Sequence, residues 1–571
     1  MKLVECVPNF SEGRDPKIIE AIAAAIRSVD GVGLLDVDPG KTTNRTVYTF
    51  AGTPEAVLEA AFRAIQKGHE LIDMSKHSGE HARQGACDVC PFVPVAGTTL
   101  KECAALAERL AERVGRELQL PVYLYAAAAR KPERERLPDI RAGEYEALAE
   151  KLKKPQWAPD FGPAKFVPRF GALTTGARNF LIAYNINLNT ANVRLAKDIA
   201  NEIRETGKLK RGANGEILKN PDGTPERIPG MFKSVQGTGW LIPEYGRAQV
   251  TVNILDLEAA PVHEVFDACC RLAAERGGRV TGSEVIGMVP KRVLIEAGKY
   301  FLAKQKASRG LSEEELIRVG VQSLGLSDIA PFDPSQKVIE AVIAEERPLI
   351  SKSVRDFVAE LASDAPAPGG GSVAALSGAL AAGLAAMVSA LTYGKKDHRH
   401  KNAEMESLGA DAHALKAEQL AAVDDDTFAF NRVMAAFSMP KNTKEQNAAK
   451  AKAVEDATKD ATAVPLGTLE RTLPTLDAAE RAAALGNPNS LSDAGVASLM
   501  ARAAAWGAYY NILINLGGLR SKAWAAKTRA QADKALKKAI KTADRIDAAV
   551  LKRLRKTASG HTERIQICGG L

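Results

Sequence analysis

Two of the chain's eight histidines, His77 and His81, lie close together in a short polar stretch. Gly79 lies between them, and a glycine allows the backbone to approach a ligand closely. An imidazole on a loop titrates near neutral pH, so it can take a proton during a reaction. A polar surface loop without a function explains the same residues equally well. We find no third ligand that would make the pair a zinc site.

Three consecutive aspartates, Asp424, Asp425 and Asp426, lie inside a long helical pattern. Successive helix residues point about 100° apart, so the carboxylates cannot share one face. Val423 and Phe430 mark the buried face, and Asp426 lies between them at helical spacing. We therefore expect Asp426 to point inward and the other two to be solvated. A buried carboxyl group has a raised pKa and can act as acid and base in turn, although a hydrogen bond between helices is the alternative.

Aromatic residues make up only 5% of the chain, yet four of them fall within 157–171 beside three prolines. Prolines stiffen a loop, and aromatic faces suit a flat ring system. Lys165 and Arg169 can meet carboxylates of the same ligand. A linker anchored by aromatic side chains is the alternative interpretation.

Three glycines at 369–371 precede Ser372 and an apolar helical pattern. Backbone N–H groups at a helix N-terminus can hold an anion or a carboxylate. The segment lacks the ending of a phosphate-binding loop, so the pattern does not favour a nucleotide site. A flexible connector remains equally compatible with it.

Cys87 and Cys90 have the CxxC spacing of redox and zinc sites. Tetrahedral zinc needs two further ligands, and no second CxxC supplies them. The seven cysteines are few and scattered, which does not suit the disulfide framework of a secreted protein. We expect buried structural thiols and no metal.

The elements that must position these residues are of two kinds. Up to residue 288 the order strand, helix, strand, strand, helix occurs twice, which predicts two α+β subdomains of split βαβ, ferredoxin-like build with a ligand crevice between them. From residue 351 onward only helical periods remain, which predicts an all-α bundle. The predicted strands are 3–8, 32–37, 46–51, 180–188, 231–241, 248–255 and 279–288. The predicted helices are 15–27, 53–72, 191–205, 261–275, 354–361, 373–391, 403–437, 442–473, 493–515 and 523–554. The predicted domains are 1–179, 180–331 and 351–571, with a linker at 332–350.

Composition narrows the class of protein. The net charge is +8, and much of the excess positive charge lies in 522–556. The helical spacing of these residues favours a solvated helix face over a nucleic-acid binding surface. The apolar pattern at 373–391 is rich in Ala and Gly, which favours a buried helix over a membrane span. The N-terminus is too short and too early broken for a signal peptide, so we expect a cytoplasmic protein. The lysine-rich segment 208–228 predicts a surface excursion.

At these motifs the sequence resembles the formiminotransferase-cyclodeaminase family. The shared segments are 3–13, 44–50, the Gly79-Glu80-His81 loop, 88–92, 140–148, 157–171, 183–188, 368–374 and 423–430. They are long enough to be specific, and the resemblance covers nearly the whole chain.

The resemblance implies two enzyme activities that end one route of histidine degradation. The first domain would transfer the formimino group from N-formimino-L-glutamate to N5 of tetrahydrofolate. The helical domain would then close 5-formimino-tetrahydrofolate to 5,10-methenyl-tetrahydrofolate and release ammonia. The implied co-substrate is tetrahydrofolate, polyglutamylated, without a metal, and the implied assembly is a homo-oligomer without nucleic acid or membrane.

The resemblance also implies which residues act. His81 would be the general base of the transferase, and Asp426 would carry a proton from N10 to the departing amine in the cyclodeaminase. The implied folate-binding residues are Gly162, Pro163, Ala164, Lys165, Phe166, Val167, Pro168, Arg169, Phe170 and Gly171.

Two alternatives compete with this interpretation. The transferase alone can be active, with the helical half serving as a methenyl-folate cyclohydrolase or as an oligomerisation or folate-binding module. A folate-binding or scaffold protein without turnover is the alternative from a different class.

Overall fold

The computed structural model describes residues 2–40, 44–78, 83–242, 245–343 and 347–558. Contacts divide the chain into two compact units, Met1–Ala297 with Gly320–Ala344, and Gly298–Val319 with Glu345–Leu571. The first unit contains all the described strands, and the second is helical. The predicted change from a sheet-rich region to a helical region is therefore confirmed.

The strands of the first unit form a seven-stranded sheet, a two-stranded sheet and a four-stranded sheet. The strands are β1 (Leu3–Cys6), β2 (Asn9–Phe10), β3 (Val32–Gly40), β4 (Arg45–Gly52), β5 (Cys87–Ala96), β6 (Val122–Ala126), β7 (Leu173–Ala177), β8 (Ile182–Leu188), β9 (Lys208–Leu209), β10 (Arg227–Ile228), β11 (Val235–Ile242), β12 (Arg247–Ile254) and β13 (Val280–Ile286). The helices up to residue 343 are α1 (Pro16–Arg27), α2 (Pro54–Leu71), α3 (Leu100–Glu117), α4 (Leu137–Arg141), α5 (Glu144–Lys151), α6 (Val193–Ile203), α7 (Val262–Glu275), α8 (Lys291–Lys304), α9 (Glu313–Leu324), α10 (Pro334–Lys337) and α11 (Ile339–Val342).

In the large sheet, β3, β4, β1 and β5 are antiparallel neighbours in that order, and β7 and β6 continue it in parallel beyond β5. Helices α1, α2 and α3 share one hydrophobic core with this sheet, to which Ile22, Ile65 and Leu110 contribute. Local sequence starts these helices: the Asp15 side chain accepts from the N–H of Lys17, and Thr99 begins α3 with a capping box.

The four-stranded sheet has the order β11, β12, β8, β13, and all its pairs are antiparallel. Helix α6 follows β8 in the chain, and α7 follows β12. In the four-stranded sheet, the first strand in the chain, β8, therefore lies between β12 and β13. In the seven-stranded sheet, the first strand, β1, likewise lies between β4 and β5. Alternate residues of β8 carry the buried apolar side chains, among them Ile182, Tyr184 and Ile186.

The sequence predicts no element between residues 73 and 156, where the described residues form two strands and three α-helices. The strand β5 is central, because it pairs with β1, β2 and β7. Its prolines, Pro91 and Pro94, are typical of edge strands and conceal the strand pattern. The segment 208–228 is largely exposed, as predicted, and begins and ends with the paired strands β9 and β10.

The helices of the second unit beyond residue 347 are α12 (Val354–Leu361), α13 (Gly370–Thr392), α14 (Asn402–Ser438), α15 (Lys444–Leu485), α16 (Leu491–Gly517) and α17 (Lys522–Ala558). Their shared core consists largely of alanine, including Ala385, Ala501 and Ala539. Small side chains at the contacts allow helix axes to approach closely.

The predicted end of one helix at residue 473 is wrong. Helix α15 continues through Pro474 to Leu485 and also contains Pro465. An interior proline removes a backbone hydrogen bond and costs about 3 kcal/mol in an isolated helix. Here Pro465, Leu469 and Leu476 are buried, and this packing outweighs the local cost.

Helix α13 is long and apolar enough to cross a membrane by length and composition, with a mean hydropathy of 1.9 in its most apolar window. Core helices of soluble proteins have the same properties. In this structure 56% of that window is buried. The burial agrees with the predicted core helix.

Candidate active sites

A cleft of about 500 Å³ lies in the first unit beside the start of α5. It is lined by His77, Ser78, Arg83, Gly143, Glu144 and Glu146. The predicted catalytic residue His81 lies outside the described residues. Ser78 and Arg83, the described residues that flank the segment 79–82, both line this cleft.

Both ring nitrogens of His77 are engaged in hydrogen bonds. Nε2 lies 2.9 Å from the carbonyl oxygen of Asn44, and Arg83 Nε donates to Nδ1 over 3.3 Å. A ring that accepts at Nδ1 carries its proton on Nε2, so His77 is neutral and donates to Asn44. Burial lowers the pKa of His77, which favours the same state. His77 therefore acts as a structural link, whereas the sequence pattern did not distinguish His77 from His81.

Asn44 fixes the residue that precedes the segment 79–82. Its Nδ2 donates to the carbonyl oxygen of Ser78 over 3.0 Å, and its Oδ1 accepts from the N–H of Gly13 over 3.0 Å. Asn44 is buried and has a φ of 48°, a conformation that asparagine adopts more readily than most residues.

Arg83 fixes the other flank. Its guanidinium pairs with Glu144 at 3.1 Å and with Glu146 at 2.6 Å, and its carbonyl oxygen accepts from the N–H of Tyr145 over 2.9 Å. The hydrogen bond to Glu146 raises the pKa of Arg83, so this cation is permanent. The next residue, Gln84, donates its N–H to Asp88, whose carboxylate also pairs with Arg141. The residues on both sides of the segment 79–82, Ser78 and Arg83, are thus held in place by hydrogen bonds and ion pairs.

The predicted folate segment 162–171 begins and ends on glycines with positive φ, 77° at Gly162 and 79° at Gly171. A Cβ atom on Gly171 would lie 2.2 Å from the carbonyl oxygen of Gln84, and one on Gly162 would lie 1.9 Å from that of Leu120. Both glycines are therefore required by close backbone contacts.

The end of this segment lies against both flanks of the segment 79–82. Met74 donates its N–H to the carbonyl oxygen of Arg169 over 3.0 Å, and Ala86 donates to that of Phe170 over 2.7 Å. Gly171 forms an antiparallel bridge with Gly85. The structure thus brings the predicted folate segment together with the residues that flank the segment 79–82.

The ten predicted folate residues differ in exposure. Exposed residues are Gly162, Ala164, Lys165, Pro168 and Arg169, half-buried residues are Pro163, Phe166 and Val167, and buried residues are Phe170 and Gly171. Phe170 packs edge-on against His69 with ring centroids 5.4 Å apart. Phe170 therefore anchors the segment, and the outer residues present the surface that a ligand can reach.

Tyr145 connects the segment to the cleft, and sequence reasoning assigned it no role. Its ring lies 5.5 Å from that of Phe166, and its hydroxyl donates to the carbonyl oxygen of Pro168 over 2.6 Å. Its N–H binds the carbonyl oxygen of Arg83. The only sequence signal was its place in the shared segment 140–148.

In the second unit, Asp426 of α14 points toward the N-terminus of α13. The hydroxyl oxygen of Ser372 lies 3.4 Å from Asp426 Oδ2. Asp426 is half-buried, which confirms its predicted inward direction. Burial raises the pKa of Asp426, while the hydrogen bonds from Ser372 lower it. Within the described residues, no cation lies within ion-pair distance of this carboxylate.

The predicted solvation of Asp424 is wrong. Asp424 is fully buried, and its carboxylate accepts from the N–H groups of Leu349 at 2.8 Å and Ile350 at 3.2 Å. These donors come from the connecting segment before α12, which the sequence did not place beside α14. Asp425 is half-exposed and pairs with Arg347 at 2.8 Å. Of the three aspartates, Asp425 pairs with a cation and both carboxylate oxygens of Asp424 accept from backbone N–H groups, whereas the side chain nearest to the Asp426 carboxylate is the hydroxyl of Ser372.

The CxxC cysteines are buried thiols, as expected. Cys87 and Cys90 are free and buried, and Cys90 Sγ lies 3.5 Å from Cys6 Sγ. Across the part of the chain that the structure describes, no group of three His, Cys, Asp or Glu residues is arranged to hold a metal ion.

Family models match three consecutive parts of the chain. The formiminotransferase domain, N-terminal subdomain, matches residues 3–178, and the formiminotransferase domain matches residues 183–344. The formiminotransferase-cyclodeaminase model matches residues 353–534. The cleft and the folate segment fall within the first match, and Asp426 falls within the third.

Curated relatives support the same division. The formimidoyltransferase-cyclodeaminase of Mus musculus is 45% identical over 530 residues, 92% of this chain and 95% of that protein. The glutamate formimidoyltransferase of Streptococcus pyogenes serotype M1 is 38% identical and covers 53% of this chain and 93% of its own. The methenyltetrahydrofolate cyclohydrolase of Methylorubrum extorquens is 41% identical and covers 31% of this chain and 84% of its own.

The fold and the matches define a bifunctional enzyme class, a one-carbon transferase joined to a cyclodeaminase. The chain belongs to the formimidoyltransferase-cyclodeaminase family, which confirms the resemblance drawn from the motifs.

Proposed function

We propose that the chain catalyses two consecutive reactions of tetrahydrofolate in histidine degradation. The sheet-rich unit transfers the formimino group of N-formimino-L-glutamate to N5 of tetrahydrofolate, and the helical unit cyclises the product with loss of ammonia. The observation that carries this proposal is the mouse relative, which spans both units at 45% identity. The cleft at His77 and the sheltered Asp426 supply a candidate site for each reaction.

In the first reaction, N5 attacks the amidine carbon of formimino-glutamate, and the bond from that carbon to the glutamate nitrogen breaks. N5 loses a proton and the departing amine gains one. We assign the proton transfer to His81 as general base. This assignment is supported by the fixed positions of Ser78 and Arg83 on either side of the loop.

The segment 162–171 is the proposed binding surface for the folate ring system. Phe166 offers a half-buried aromatic face, and Lys165 and Arg169 are exposed cations beside it. A flat pteridine can stack on such a face, while the cations attract the glutamate carboxylates.

In the second reaction, N10 attacks the same carbon, the N10–C bond forms, and the bond from carbon to the amino group breaks. A proton must move from N10 to the departing ammonia. Asp426 is the proposed carrier, because burial raises its pKa and makes its protonated form more accessible than that of an exposed aspartate.

The test supplies formimino-glutamate and tetrahydrofolate to the purified chain and follows methenyl-folate absorbance together with ammonia. His81→Ala should abolish formation of the first product, yet the variant should still cyclise added 5-formimino-tetrahydrofolate. Asp426→Asn should show the opposite pattern. A folate-binding protein without turnover would give no absorbance in any form of the experiment.

A second candidate activity of the helical unit is hydrolysis of methenyl-tetrahydrofolate. It is favoured by the 41% identity to the Methylorubrum extorquens cyclohydrolase. In that reaction water adds to the methenyl carbon, one of the two C–N bonds at this carbon breaks, and a formyl group and a proton are produced. Adding methenyl-tetrahydrofolate and following loss of its absorbance, with Asp426→Asn as control, separates the two activities.

We further propose that the co-substrate is polyglutamylated and that α17 attracts its tail. The exposed lysines of this helix include Lys527, Lys534, Lys537, Lys538 and Lys541. Opposite charges attract over a Debye length of about 8 Å at physiological salt. Replacing these lysines with uncharged residues should weaken binding of pentaglutamyl folate and leave the binding of monoglutamyl folate unchanged.

A homo-oligomer is also proposed, and an apolar face of the helical unit supports it. Exposed apolar residues there are Leu380, Met387 and Leu391 on α13 and Val496, Leu499, Trp506, Tyr510 and Ile514 on α16. Monomeric proteins rarely expose large contiguous apolar patches. Substituting Tyr510 and Ile514 with Glu should reduce the mass measured by light scattering.

The finer assignments are also proposals. We propose domains at 1–179, 180–331 and 351–571 with a linker at 332–350, and a split βαβ, ferredoxin-like fold for both sheet subdomains. The order of strands and helices in the two larger sheets supports this fold. We propose a cytoplasmic protein that needs no metal and binds neither nucleic acid nor membranes. Activity after exhaustive chelation tests the metal proposal.

A further inference from the structure

Gly371, in the first turn of α13, directly faces the Asp426 carboxylate. A Cβ atom at this position would lie 2.1 Å from Oδ1, 2.4 Å from Cγ and 2.5 Å from Oδ2. Carbon and oxygen atoms cannot approach so closely, so any side chain at 371 would force the carboxylate away. Gly371 has no positive φ, and an ordinary helical residue could adopt its backbone conformation. The glycine is therefore explained by the space it leaves for Asp426.

Ser372 holds the carboxylate from the next position. The backbone N–H of Ser372, in the first turn of α13, lowers the pKa of the Asp426 carboxyl group. The Ser372 hydroxyl donates to the carbonyl oxygen of Val423 over 2.8 Å and lies 3.4 Å from Asp426 Oδ2. Ser372 is fully buried. The hydroxyl therefore ties the start of α13 to the turn of α14 that precedes Asp426.

No charged side chain takes part in this arrangement. Helix α13 contains no charged residue, and Asn511 of α16 faces the adjacent Gly370. On α14, Asp424 is satisfied by the backbone of Leu349 and Ile350, and Asp425 pairs with Arg347. Burial raises the pKa of Asp426, and the backbone and hydroxyl of Ser372 lower it.

We propose that Gly371 and Ser372 are positioning residues for Asp426: the glycine makes room for its carboxylate at the start of α13, and the serine orients that carboxylate from the next position. The inference rests on the proposed role of Asp426 in the cyclodeaminase. It also explains the run of glycines at 369–371, because the anion at this helix N-terminus is a side chain of the protein itself.

The first test compares two glycines of the same helix. At Gly383 a Cβ atom would meet nothing within 4 Å, so Gly383→Ala is the matched control for Gly371→Ala. Gly371→Ala should lower cyclodeaminase kcat about 100-fold, the loss that a misplacement of about 1 Å produces. Transferase activity of the same chain should not change in either variant. A Gly371→Ala enzyme that keeps cyclodeaminase activity within twofold of the unmodified chain would overturn the proposal.

The second test uses the pH profile of the cyclodeaminase. Ser372→Ala removes the hydroxyl group that lies 3.4 Å from Asp426 Oδ2 and lowers the pKa of this carboxyl group, so the acidic limb of the profile should move to higher pH. Ser372→Thr keeps a hydroxyl group and should restore the limb. A loss of activity without a shift would show that Ser372 only stabilises the helix contact, and would contradict the proposal.

Asp426→Asn separates this inference from the proposed function. If Asp426→Asn cyclises 5-formimino-tetrahydrofolate normally, the assigned role of Asp426 is wrong. If Asp426→Asn is inactive while Gly371→Ala and Ser372→Ala behave like the unmodified chain, only the positioning proposal fails. Thermal unfolding of each variant by circular dichroism identifies any that fail to fold, and in that case the serine variants still decide the question.

Discussion

In the first unit, backbone hydrogen bonds join the segment 168–172 to 74–78 and 83–86, which lie much earlier in the chain and contribute residues to the cleft. In the helical unit, two helices place one carboxylate beside one glycine, and the fit depends on the volume of a side chain. The first site should therefore be sensitive to changes of backbone conformation and hydrogen bonding. The second should be sensitive to the size of a few side chains.

The strongest way to break this comparison is Gly171→Ala in the first unit. The new Cβ atom would meet the carbonyl oxygen of Gln84 at 2.2 Å, and an L residue with positive φ costs a further 1–2 kcal/mol, approximately. We expect transferase kcat/KM to fall about 100-fold, because the folate segment must separate from the flank of the segment 79–82. Cyclisation of added 5-formimino-tetrahydrofolate should remain.

Gly287→Ala is the matched control for that variant. Gly287 has a φ of 81°, but a Cβ atom there would meet nothing within 4 Å. It should lose only about 1 kcal/mol of stability and keep both activities. If both variants lose the same transferase activity, strain rather than the close contact is responsible, and the comparison fails.

Buried carboxyl groups sharpen the comparison from another side. Glu5 on β1 is 5% exposed, and burial raises its pKa from 4.5 to about 7, with Arg178 opposing the shift. The folded unit therefore holds a proton that the unfolded chain releases above pH 4.5. This contribution to stability is complete below pH 4.5 and is lost as the pH rises through 7, by about 3 kcal/mol at most.

Glu5→Gln should therefore stabilise the first unit at pH 8 and have little effect at pH 4.5. The urea midpoint of the transition of the first unit measures the difference, and Glu133→Gln on the surface serves as control. The midpoint of the helical unit should not move. An equal midpoint shift at both pH values would show that packing, and not protonation, determines the effect.

Asn44 tests how tightly the flank of the segment 79–82 must be held. Asn44→Asp keeps the shape, the acceptor for Gly13 and a tolerance of positive φ, but it cannot donate to Ser78. We expect transferase kcat to fall about tenfold, since a lost buried hydrogen bond costs about 1–3 kcal/mol. The stability of the first unit should change less than in Asn44→Ala, which loses both bonds. Unchanged kcat in Asn44→Asp would mean that the flank need not be fixed at Ser78.

How far the sequence predicts these sites depends on whether the contacts are local. The helical spacing of apolar residues in α14 was sufficient to predict that Asp426 points inward. The glycines at 369–371 indicated a site for an anion or a carboxylate. The sequence could not show that the two belong together, because α13 and α14 meet through tertiary packing. Asp424 was placed in solvent for the same reason, since its partners, Leu349 and Ile350, come from a connecting segment.

In the first unit, the motifs predicted a site near His77 and His81 and a folate segment at 162–171. They did not predict the hydrogen bonds that join these two parts of the chain. Asp15 and Pro16 predicted the start of α1 from local chemistry, and the structure agrees. In contrast, β5 contains two prolines and a buried aspartate, so its sequence does not resemble the central strand that it is. Tyr145 has no local signature, because its role arises only when α5, Arg83 and Pro168 come together.

The smallest expected effect belongs to Tyr145→Phe. The variant keeps the ring against Phe166 and the N–H bond to Arg83, and it loses only the hydroxyl bond of 2.6 Å to the carbonyl oxygen of Pro168. We expect KM for tetrahydrofolate to rise about fivefold with little change in kcat, as a loss of about 1 kcal/mol requires.

Tyr123→Phe is its matched control. The Tyr123 hydroxyl donates over 2.7 Å to the carbonyl oxygen of Trp157, in the same loop but before residue 162. This variant should lower the stability of the first unit by a similar amount and leave KM unchanged. If both substitutions raise KM equally, the whole loop 157–171 responds as one body and no separate surface at 162–171 can be distinguished. If only Tyr145→Phe does so, ligand binding depends on the segment that the cleft itself holds in place.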